Sequence, residues 1–356
     1  NPNSDGSIGE ECEIGVRISG DVHTESGDDV EGVEVGLSGN MDAALTTGVE
    51  GTFEFNVELE HDYTVTAEKD INYLNGVSTF DLVLIKKHII GVEGLNSPYK
   101  LIAADADNSG NVSVLDLTTL RKLILGIFEE LPNGQKSWRF PETNQTFVNE
   151  NNPFPYNESI DIYNLQNKME NQDLTGVKIG DVNDNVQLNN LLGADDRNFE
   201  GALVFEIANQ EFEAGERIKV DFKAQDFKDL IGYQFTLDFD ETALEFVDFE
   251  AGELTGLSKK NFGFHQLEQG KITTSWNKIS TNNLDSDAVL FSLTFQSHTK
   301  MSLNKVIDIS SELTIAEAYQ GDGQLLDVAI KFTGEHGIFS TSDTEFYGNK
   351  PNPFHS

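Results

Sequence analysis

The sequence predicts a mainly β, multidomain protein in which a short α-helical module separates a small β-sandwich from a larger one. Two regions, about 1–69 and 200–333, are dense in segments where apolar and polar residues alternate, which is the period of a half-buried strand. Between them, the pattern of Asp70–Gly91 recurs without gaps at Asp105–Gly126, and each copy joins a polar loop to a segment of helical period. With 356 residues, the chain is also longer than a single core usually becomes.

The composition is strongly acidic. Against 24 Lys and Arg there are 61 Asp and Glu, which is a formal net charge of -37. This charge repels nucleic acid and anionic membranes, so we expect neither as a partner, and it suits a protein that holds cations or lives in salty, extracellular water. With 38% hydrophobic residues the chain can still bury substantial cores. No apolar run approaches the roughly 20 residues of a membrane helix, so we predict no membrane insertion.

Residues 1–69 are predicted to form the small β-sandwich. Alternating segments such as GVEVGLSG, GTFEFNVEL and DYTVTAEK lie between turns rich in Gly, Asp and Ser. Their order resembles the Cna-B-like and carboxypeptidase-regulatory-like surface domains, which implies an Ig-like or transthyretin-like spacer. Some Cna-B domains contain a Lys–Asn crosslink, but the first lysine here is Lys69, at the end of the region, so we do not expect that bond. The lone Cys12 excludes an internal disulfide.

The duplicated pattern predicts two short helices. Each copy has a polar loop that ends in Asp, about ten residues of helical period, and a closing glycine. Helices this short are marginal alone, so we expect them to pack on each other. The apolar positions that share one face are Leu82, Ile85 and Ile89 in the first copy, and Leu117, Leu120 and Ile124 in the second.

The second polar loop, DADNSGNVSVLD, has the spacing of a calcium loop. Calcium takes six to eight oxygens, and a twelve-residue loop supplies them from places 1, 3, 5, 7 through a carbonyl, 9 and 12. A glycine at the sixth place, Gly110, permits the sharp turn. The alternative is an acidic turn that caps a helix, with Asp116 as the N-cap. The candidate ligands are Asp105, Asp107, Ser109, the carbonyl of Asn111, Ser113 and Asp116.

The first loop is less regular, because Leu74 stands at the fifth place and Gly76 comes one place late. Its candidate calcium ligands are Asp70, Asn72, Ser78 and Asp81, with Asn75 as a substitute for the missing one. A later segment, GDVNDN, carries oxygens at alternate positions. It is a third cation site, the completion of one of the first two, or a plain polar turn. Its candidate ligands are Asp181, Asn183 and Asn185.

A duplicated loop and helix with no entering helix resembles a dockerin, over Asp70–Phe128. Dockerins bind cohesins through the residues just before the last Asp of each loop. The resemblance therefore implies Ca²⁺ as the cofactor and a protein partner bound through Thr79 with Phe80 and Val114 with Leu115. The alternative for these four side chains is packing under the helices.

The second β-rich region resembles a cohesin domain, over about Leu203–Phe332. The segments RIKVDFKA, IGYQFTLDFD, GKITTSWNKIS and AVLFSLTFQ carry this resemblance. The later EFYGNKPNPF resembles the opening of a type IX secretion sorting domain, which implies export and a chain cut there. The start, NPNSDGSIGEE, is interpreted as a processed or fragment boundary. The predicted parts are a sandwich at 1–69, a dockerin-like module at 70–130, an irregular Asn- and Pro-rich extension at 131–199, a cohesin-like sandwich at 200–333 and a tail at 334–356.

These features favour a non-catalytic, calcium-stabilised structural or adhesive protein, secreted or on a bacterial surface. The histidines have no metal-site spacing, and no phosphate loop or nucleophile motif occurs, so we do not expect an enzyme. The partners are expected to be other copies of the chain, with contacts in cis or in trans, and trans contacts would generate filaments. The alternative is a carbohydrate- or protein-binding tail of a larger secreted enzyme, in which Trp138 or Trp276 stacks on sugars instead of lying buried.

Overall fold

The computed structural model of the protein describes residues 15–188, 199 and 201–334. The chain divides into two units, and each is assembled from separate stretches of sequence. The helical module and the larger sandwich belong to the same unit. Of the described residues, 15–70, 138–178 and 188 belong to the N-terminal unit, and 71–137, 179–187, 199 and 201–334 belong to the C-terminal unit. Cys12 and the sorting-domain-like segment near the end lie outside the described residues.

The N-terminal unit is built from two main sheets, with orders β4-β1-β8 and β3-β2-β5-β7. The alternation expected of a half-buried strand holds: in β4 every second side chain is buried, Phe53 and Phe55 among them. The strands are β1 Val16–His23, β2 Glu34–Gly39, β3 Ala43–Thr46, β4 Thr52–Val57, β5 Tyr63–Glu68, β6 Trp138–Arg139, β7 Ser159–Ile162, β8 Leu174–Thr175 and β9 Val177–Lys178.

Irregular structure was expected throughout 131–199, but four of these strands lie within it. Strand β7 pairs with β5 over four residues, and β8 pairs with β1 in parallel. The Asn- and Pro-rich region thus returns to the first sandwich and supplies it with strands. Runs of two to four residues are too short to show a period, and their partners are distant in sequence, so alternation could not predict them.

The helical module contains α1 Thr79–Ile89, α2 Pro98–Ala104 and α3 Val114–Ile124. Helices α1 and α3 are the two predicted by the repeat, and each begins with a capping box, formed by Ser78 with Asp81 and by Ser113 with Asp116. Leu82 and Ile85 in α1, like Leu120 in α3, are fully buried, as their shared face predicted. Helix α2 was not predicted, although Ser97 before Pro98 is a strong helix start. Among the described residues, no helix has the length and apolar character to span a membrane.

The larger sandwich has a core of interlocking aromatic rings. Phe205 lies 5.0 Å from Phe235 and Phe222 lies 4.4 Å from Phe291, between ring centroids. The order of hydrogen-bonded strands in its main sheet is β14-β17-β12-β10-β21-β20-β13-β16-β15, and β19 also pairs with β13. The strands are β10 Ala202–Ala208, β11 Glu211–Phe212, β12 Arg217–Ala224, β13 Phe227–Phe239, β14 Leu244–Ala251, β15 Phe262–Gly263, β16 Lys271–Leu284, β17 Phe291–Ser297, β18 Met301–Ser302, β19 Ile307–Ser310, β20 Glu317–Gln320 and β21 Leu325–Thr333.

Candidate metal centres and contact surface

The second polar loop is fixed at both ends by helices. Asp105 is the C-cap of α2 and Ser113 is the N-cap of α3, so the residues between them must turn sharply. Gly110 makes that turn with a φ of 76°. Asp105, Asp107 and Asp116 each bring a carboxylate oxygen into a cluster whose atoms lie within 4.8 Å of one another. The structure thus gathers the three acidic residues that the spacing predicted.

Backbone N–H groups orient these carboxylates. Ser109 and Gly110 each donate to Asp105 at 2.9 Å, while Asp107 donates to Asp116 Oδ1 at 3.1 Å and Ser113 donates to its Oδ2 at 2.7 Å. Asp107 Oδ1 is buried and has no hydrogen-bond partner within the described part of the chain. A buried anionic oxygen without a donor is costly unless a cation lies beside it. The loop therefore fits a hard cation such as calcium.

The electrostatics of this loop also fit a cation. Burial raises the pKa of Asp116 to about 6, and the negative charges of Asp107 and Asp105 add to the rise. Burial raises the pKa of Asp105 as well, against the lowering effect of the N–H donors of Ser109 and Gly110. A divalent ion among these oxygens would offset both the desolvation and the mutual repulsion.

The other predicted ligands of this loop lie on its exposed side. Ser109 Oγ is 3.3 Å from the Asn111 carbonyl, and the Asn111 amide donates to Ser109 Oγ at 3.0 Å. Ser113 Oγ accepts the N–H of Leu115 at 3.1 Å, so this hydroxyl caps α3. The alternative of a capping turn is thus realised too, except that the N-cap is Ser113 and not Asp116.

The first polar loop is only partly assembled from its own residues. Ser78 donates its N–H and Oγ–H to Asp81 Oδ2 at 2.9 and 3.0 Å, as in the second repeat. Two of its predicted ligands are not shown to join this arrangement. Asn72 is exposed and has a left-handed φ of 52°. Asp70 belongs to the N-terminal unit. Asn75 uses its amide on the backbone of Gln187, donating at 2.8 Å and accepting at 3.0 Å.

The GDVNDN segment lies against this first loop. Val182 donates its N–H to Asp81 Oδ1 at 2.9 Å, and a Cβ on Gly76 would lie 2.8 Å from Asp181 Oδ2. Asp81 is fully buried, so desolvation, followed by the charge of Asp181, raises its pKa to about 8. Desolvation also raises the pKa of Asp181. The segment and the first loop therefore form one carboxylate-rich centre.

The N-terminal end of α1 contacts the larger sandwich. Thr79 donates its backbone N–H to Gln234 Oε1 at 2.7 Å, and its hydroxyl lies 2.7 Å from Ser275 Oγ. The ring of Phe80 stacks on Tyr319 with centroids 5.4 Å apart and 24° between the planes. One turn later, Val83 packs with Tyr319. The first predicted interaction pair, Thr79 and Phe80, thus lies in a contact within the chain.

The C-terminal end of α3 completes this contact. Thr314 donates its hydroxyl to the Ile124 carbonyl at 2.6 Å, and Thr273 donates to the Leu125 carbonyl at 2.7 Å. These two carbonyls belong to the last turn of the helix, which lacks partners of its own. Burial lowers the pKa of Arg121, which donates to Asn277 Oδ1.

We call this contact the docking face. It consists of Thr79, Phe80, Val83, Arg121, Ile124 and Leu125 on the helical module, and Ile231, Gln234, Thr273, Ser275, Asn277, Thr314 and Tyr319 on the sandwich.

The second predicted interaction pair is not in this contact. Val114 and Leu115 are 62% and 65% exposed, so neither packs under the helices nor reaches the sandwich. Sequence reasoning missed the sandwich side of the docking face, because residues such as Gln234 and Ser275 are ordinary polar positions of strands and carry no local signal. Trp138 and Trp276 are 3% and 0% exposed, and Trp276 Nε1 donates to the Thr255 carbonyl at 3.1 Å. Neither ring offers a face on which a sugar could stack.

The comparisons with known proteins identify the two modules. Residues 68–125 match the model of the dockerin type I domain, and residues 203–332 match that of the cohesin domain. The chain therefore contains a type I dockerin domain and a cohesin domain. These are modules of protein–protein interaction, and the mainly β, multidomain fold predicted from the sequence is confirmed.

Several solved structures similar to the chain are cohesins. One is the sixth cohesin of scaffoldin B from Acetivibrio cellulolyticus, in complex with a Cel5 dockerin variant, at 18% identity over 38% of this chain and 99% of that one, with a TM-score of 0.31. Another is the seventh ScaB type I cohesin from Pseudobacteroides cellulosolvens, at 24% identity over 37% and 87%, with a TM-score of 0.28. A third is a non-cellulosomal cohesin from Archaeoglobus fulgidus, at 20% identity over 38% and 94%, with a TM-score of 0.25. No curated protein matches the sequence.

Proposed function

We propose that the protein is a non-catalytic, calcium-stabilised structural or adhesive protein of a bacterial surface, in which the dockerin domain is held on the cohesin domain of the same chain. The observation that carries this proposal is the pair of bonds made by Thr79, through its N–H to Gln234 and its hydroxyl to Ser275. Thr79, at the start of α1, is buried against strands of the cohesin domain, with its polar groups satisfied.

Calcium has a defined role in this proposal. When bound, it neutralises the clustered carboxylates and makes the folding of each loop depend on the ion. In the second loop, the residues that would hold it are Asp105, Asp107 and Asp116, with Ser109 and the Asn111 carbonyl on the open side. Asp116 also closes the capping box of α3. Holding the loop therefore holds the start of the helix, and α3 presents Arg121 and its last carbonyls to the cohesin.

A matched pair of variants tests the contact within the chain. Thr79→Asp and Val114→Asp each place a carboxylate at the first residue of a repeat helix, a position where the helix dipole favours it. Only the first change buries a charge in the docking face, since Thr79 is 0% exposed and Val114 is 62% exposed. Small-angle X-ray scattering of the full chain with calcium should show a larger radius of gyration for Thr79→Asp and the wild-type value for Val114→Asp. An unchanged radius in both would contradict the proposal.

Filament formation follows if the docking face is exchanged between copies. A dockerin on one chain and a cohesin on the next make a head-to-tail contact, which propagates when the rotation between copies does not close. We expect multi-angle light scattering in calcium to show monomers in dilute solution and a mass that rises with concentration. Monomers at every concentration would contradict the filament and leave the contact within the chain untouched.

Location outside the cell is the remaining part of the proposal. It is supported by the high negative charge and by the resemblance of EFYGNKPNPF to a secretion sorting signal. Labelling of intact cells with a membrane-impermeant amine reagent should modify the protein. Labelling only after the cells are broken would contradict it.

A further inference from the structure

The second loop shows how the first half of a calcium loop is bonded in this protein. Asp105 stands at the first place, and its carboxylate accepts the N–H groups of the residues four and five positions later. These are Ser109, to Oδ1 at 2.9 Å, and Gly110, to Oδ2 at 2.9 Å. The side chains at places 1, 3 and 5 thereby turn towards one centre.

The turn that follows Gly180 repeats this bonding. Asp181 Oδ1 accepts the N–H of Asn185, four positions later, at 3.3 Å, and its Oδ2 accepts the N–H of Val186, five positions later, at 2.9 Å. Asn183 and Asn185 then occupy the places of Asp107 and Ser109. The segment has the first half of a calcium loop and lacks the second half.

The first repeat has the complementary half. Asp81 Oδ2 accepts from Ser78 N at 2.9 Å, just as Asp116 Oδ2 accepts from Ser113 N at 2.7 Å. The other oxygen of Asp116 accepts an N–H from the first half of its own loop, that of Asp107, at 3.1 Å. The corresponding oxygen of Asp81 accepts instead from Val182, at 2.9 Å. The segment after Gly180 therefore stands where the first half of this loop would stand.

Side-chain oxygens of both halves converge. One terminal atom of the Asn183 amide lies 2.8 Å from Asp181 Oδ1, 3.2 Å from Asp81 Oδ1 and 3.0 Å from Asn185 Oδ1. As an NH₂ group this atom shares its two hydrogens among the three oxygens and closes the turn. As an oxygen it lies 2.8–3.2 Å from each of these three oxygens. That is close to the separation of neighbouring oxygens around calcium when each Ca–O distance is about 2.3–2.6 Å.

We propose that the first calcium site is divided between two distant segments of the chain, with Asp181, Asn183 and Asn185 at places 1, 3 and 5 and Asp81 as the last carboxylate. Asp70 and Asn72 then contribute no ligand. This inference rests on the calcium binding proposed above and deepens it. Because Thr79 and Phe80 lie just before Asp81, an ion at this site ties residues 181–186 to the start of α1 and steadies the docking face.

Two further contacts hold the halves together. Asn75 and Gln187 make two hydrogen bonds, so the segment is clamped just beyond the converging oxygens. Gly76 has a φ of 76°, and a Cβ there would lie 2.8 Å from both Asp181 Oδ2 and Val186 Cα. The missing side chain at this position permits the close approach of the two segments.

Counting bound ions tests the divided site. Calorimetric titration of the full chain with CaCl₂ should give two ions for the wild type, one after Asp105→Asn and one after Asp181→Asn. The matched control is Asp184→Asn, which makes the same charge change in the same turn and should leave two. Asp70→Asn should also leave two. Asn185 is exposed, so we expect Asn185→Ala to fold and to weaken the binding of one ion at least tenfold.

The possible failures are distinguishable. If both ions still bind to Asp181→Asn and to Asn185→Ala, and one is lost in Asp70→Asn, the divided site is wrong. The calcium proposal would then still stand. One ion in the wild type, lost in Asp105→Asn, would also overturn the divided site. No ion in the wild type would overturn the calcium proposal itself. If Asp181→Asn does not fold, Asn185→Ala decides the question.

Discussion

Thr79, the first residue of α1, donates its backbone N–H to the side chain of Gln234 in β13, a residue 155 positions later in the sequence, at 2.7 Å. The first N–H groups of a helix have no partners inside the helix, and most helix starts satisfy them with a nearby side chain or water. Here a strand of the cohesin domain satisfies one of them. The helix start is therefore complete only when the two domains are in contact.

Removal of calcium should destabilise the chain. A ligand that binds only the folded state adds about 4 kcal/mol when its concentration is a thousand times its dissociation constant. We expect a chelator to lower the melting temperature of the C-terminal unit, and Asp105→Ala to reproduce part of the loss with calcium present. Calorimetric melting with and without chelator measures this. Equal melting temperatures would exclude calcium as a stabilising ligand.

The stability of the metal-free protein should rise as the pH falls. The pKa values of Asp81 and Asp116 are raised in the folded state to about 8 and about 6, whereas unfolded Asp titrates near 3.9. At pH values between the unfolded-state pKa and the raised folded-state pKa, the folded state binds more protons than the unfolded state. The free energy of unfolding therefore increases as the pH is lowered from about 8.5 to about 5.5. Urea unfolding in chelator at several pH values measures this.

A control for the pH effect is Asp81→Asn, which cannot titrate. Its slope of unfolding free energy against pH should be flatter than that of the wild type, above all between about pH 7 and pH 8.5. With calcium present the wild-type slope should reverse, because protons then compete with the ion for the same carboxylates. Identical slopes for wild type and variant in chelator would contradict the assignment.

Truncation of Phe80 should cost more than truncation of Leu115, although the two occupy the same position of the repeat. Phe80 stacks on Tyr319 and is partly buried, so Phe80→Ala should lower the unfolding free energy by about 2 kcal/mol. Leu115 is 65% exposed, and its replacement by Ala should change the free energy by less than about 0.5 kcal/mol. Denaturant titration of both variants in calcium gives the comparison, and equal losses would argue against the docking face.

A methyl group on Gly263 should disturb the docking face. A Cβ there would lie 2.6 Å from the Leu125 carbonyl and 2.4 Å from Thr273 Oγ1, the two atoms that are hydrogen-bonded to each other. We expect Gly263→Ala to cost about 1–3 kcal/mol, as overpacked sites do. Gly48→Ala is the control, because a Cβ at Gly48 meets nothing within 4 Å. Thermal melting that is the same for both variants would contradict this prediction.

Local sequence determined the parts of this protein that depend on neighbouring residues. The second calcium-type loop and the alternating strands of both sandwiches are each specified within about a dozen residues, so spacing alone predicts them. The capping boxes of Ser78 and Ser113 are equally local, although Asp116 and not Ser113 was expected as the N-cap of α3. The resemblance of the two copies to a dockerin also named Thr79, Phe80, Val114 and Leu115 as candidate contact residues, and only the first two lie in the docking face.

Only the tertiary structure decided how distant segments combine. The strands between 138 and 178 are too short to show a period. Strands β7 and β8 form by pairing with β5 and β1, and β6 and β9 form by pairing with each other. The GDVNDN turn has the same local pattern wherever it lies, and its position beside Asp81 follows from folding of the whole unit. Gln234 likewise becomes the partner of Thr79 only because folding of the unit brings β13 against the start of α1. Such pairings depend on which surfaces come into contact in the folded protein. The spacing of residues along the sequence does not specify those contacts.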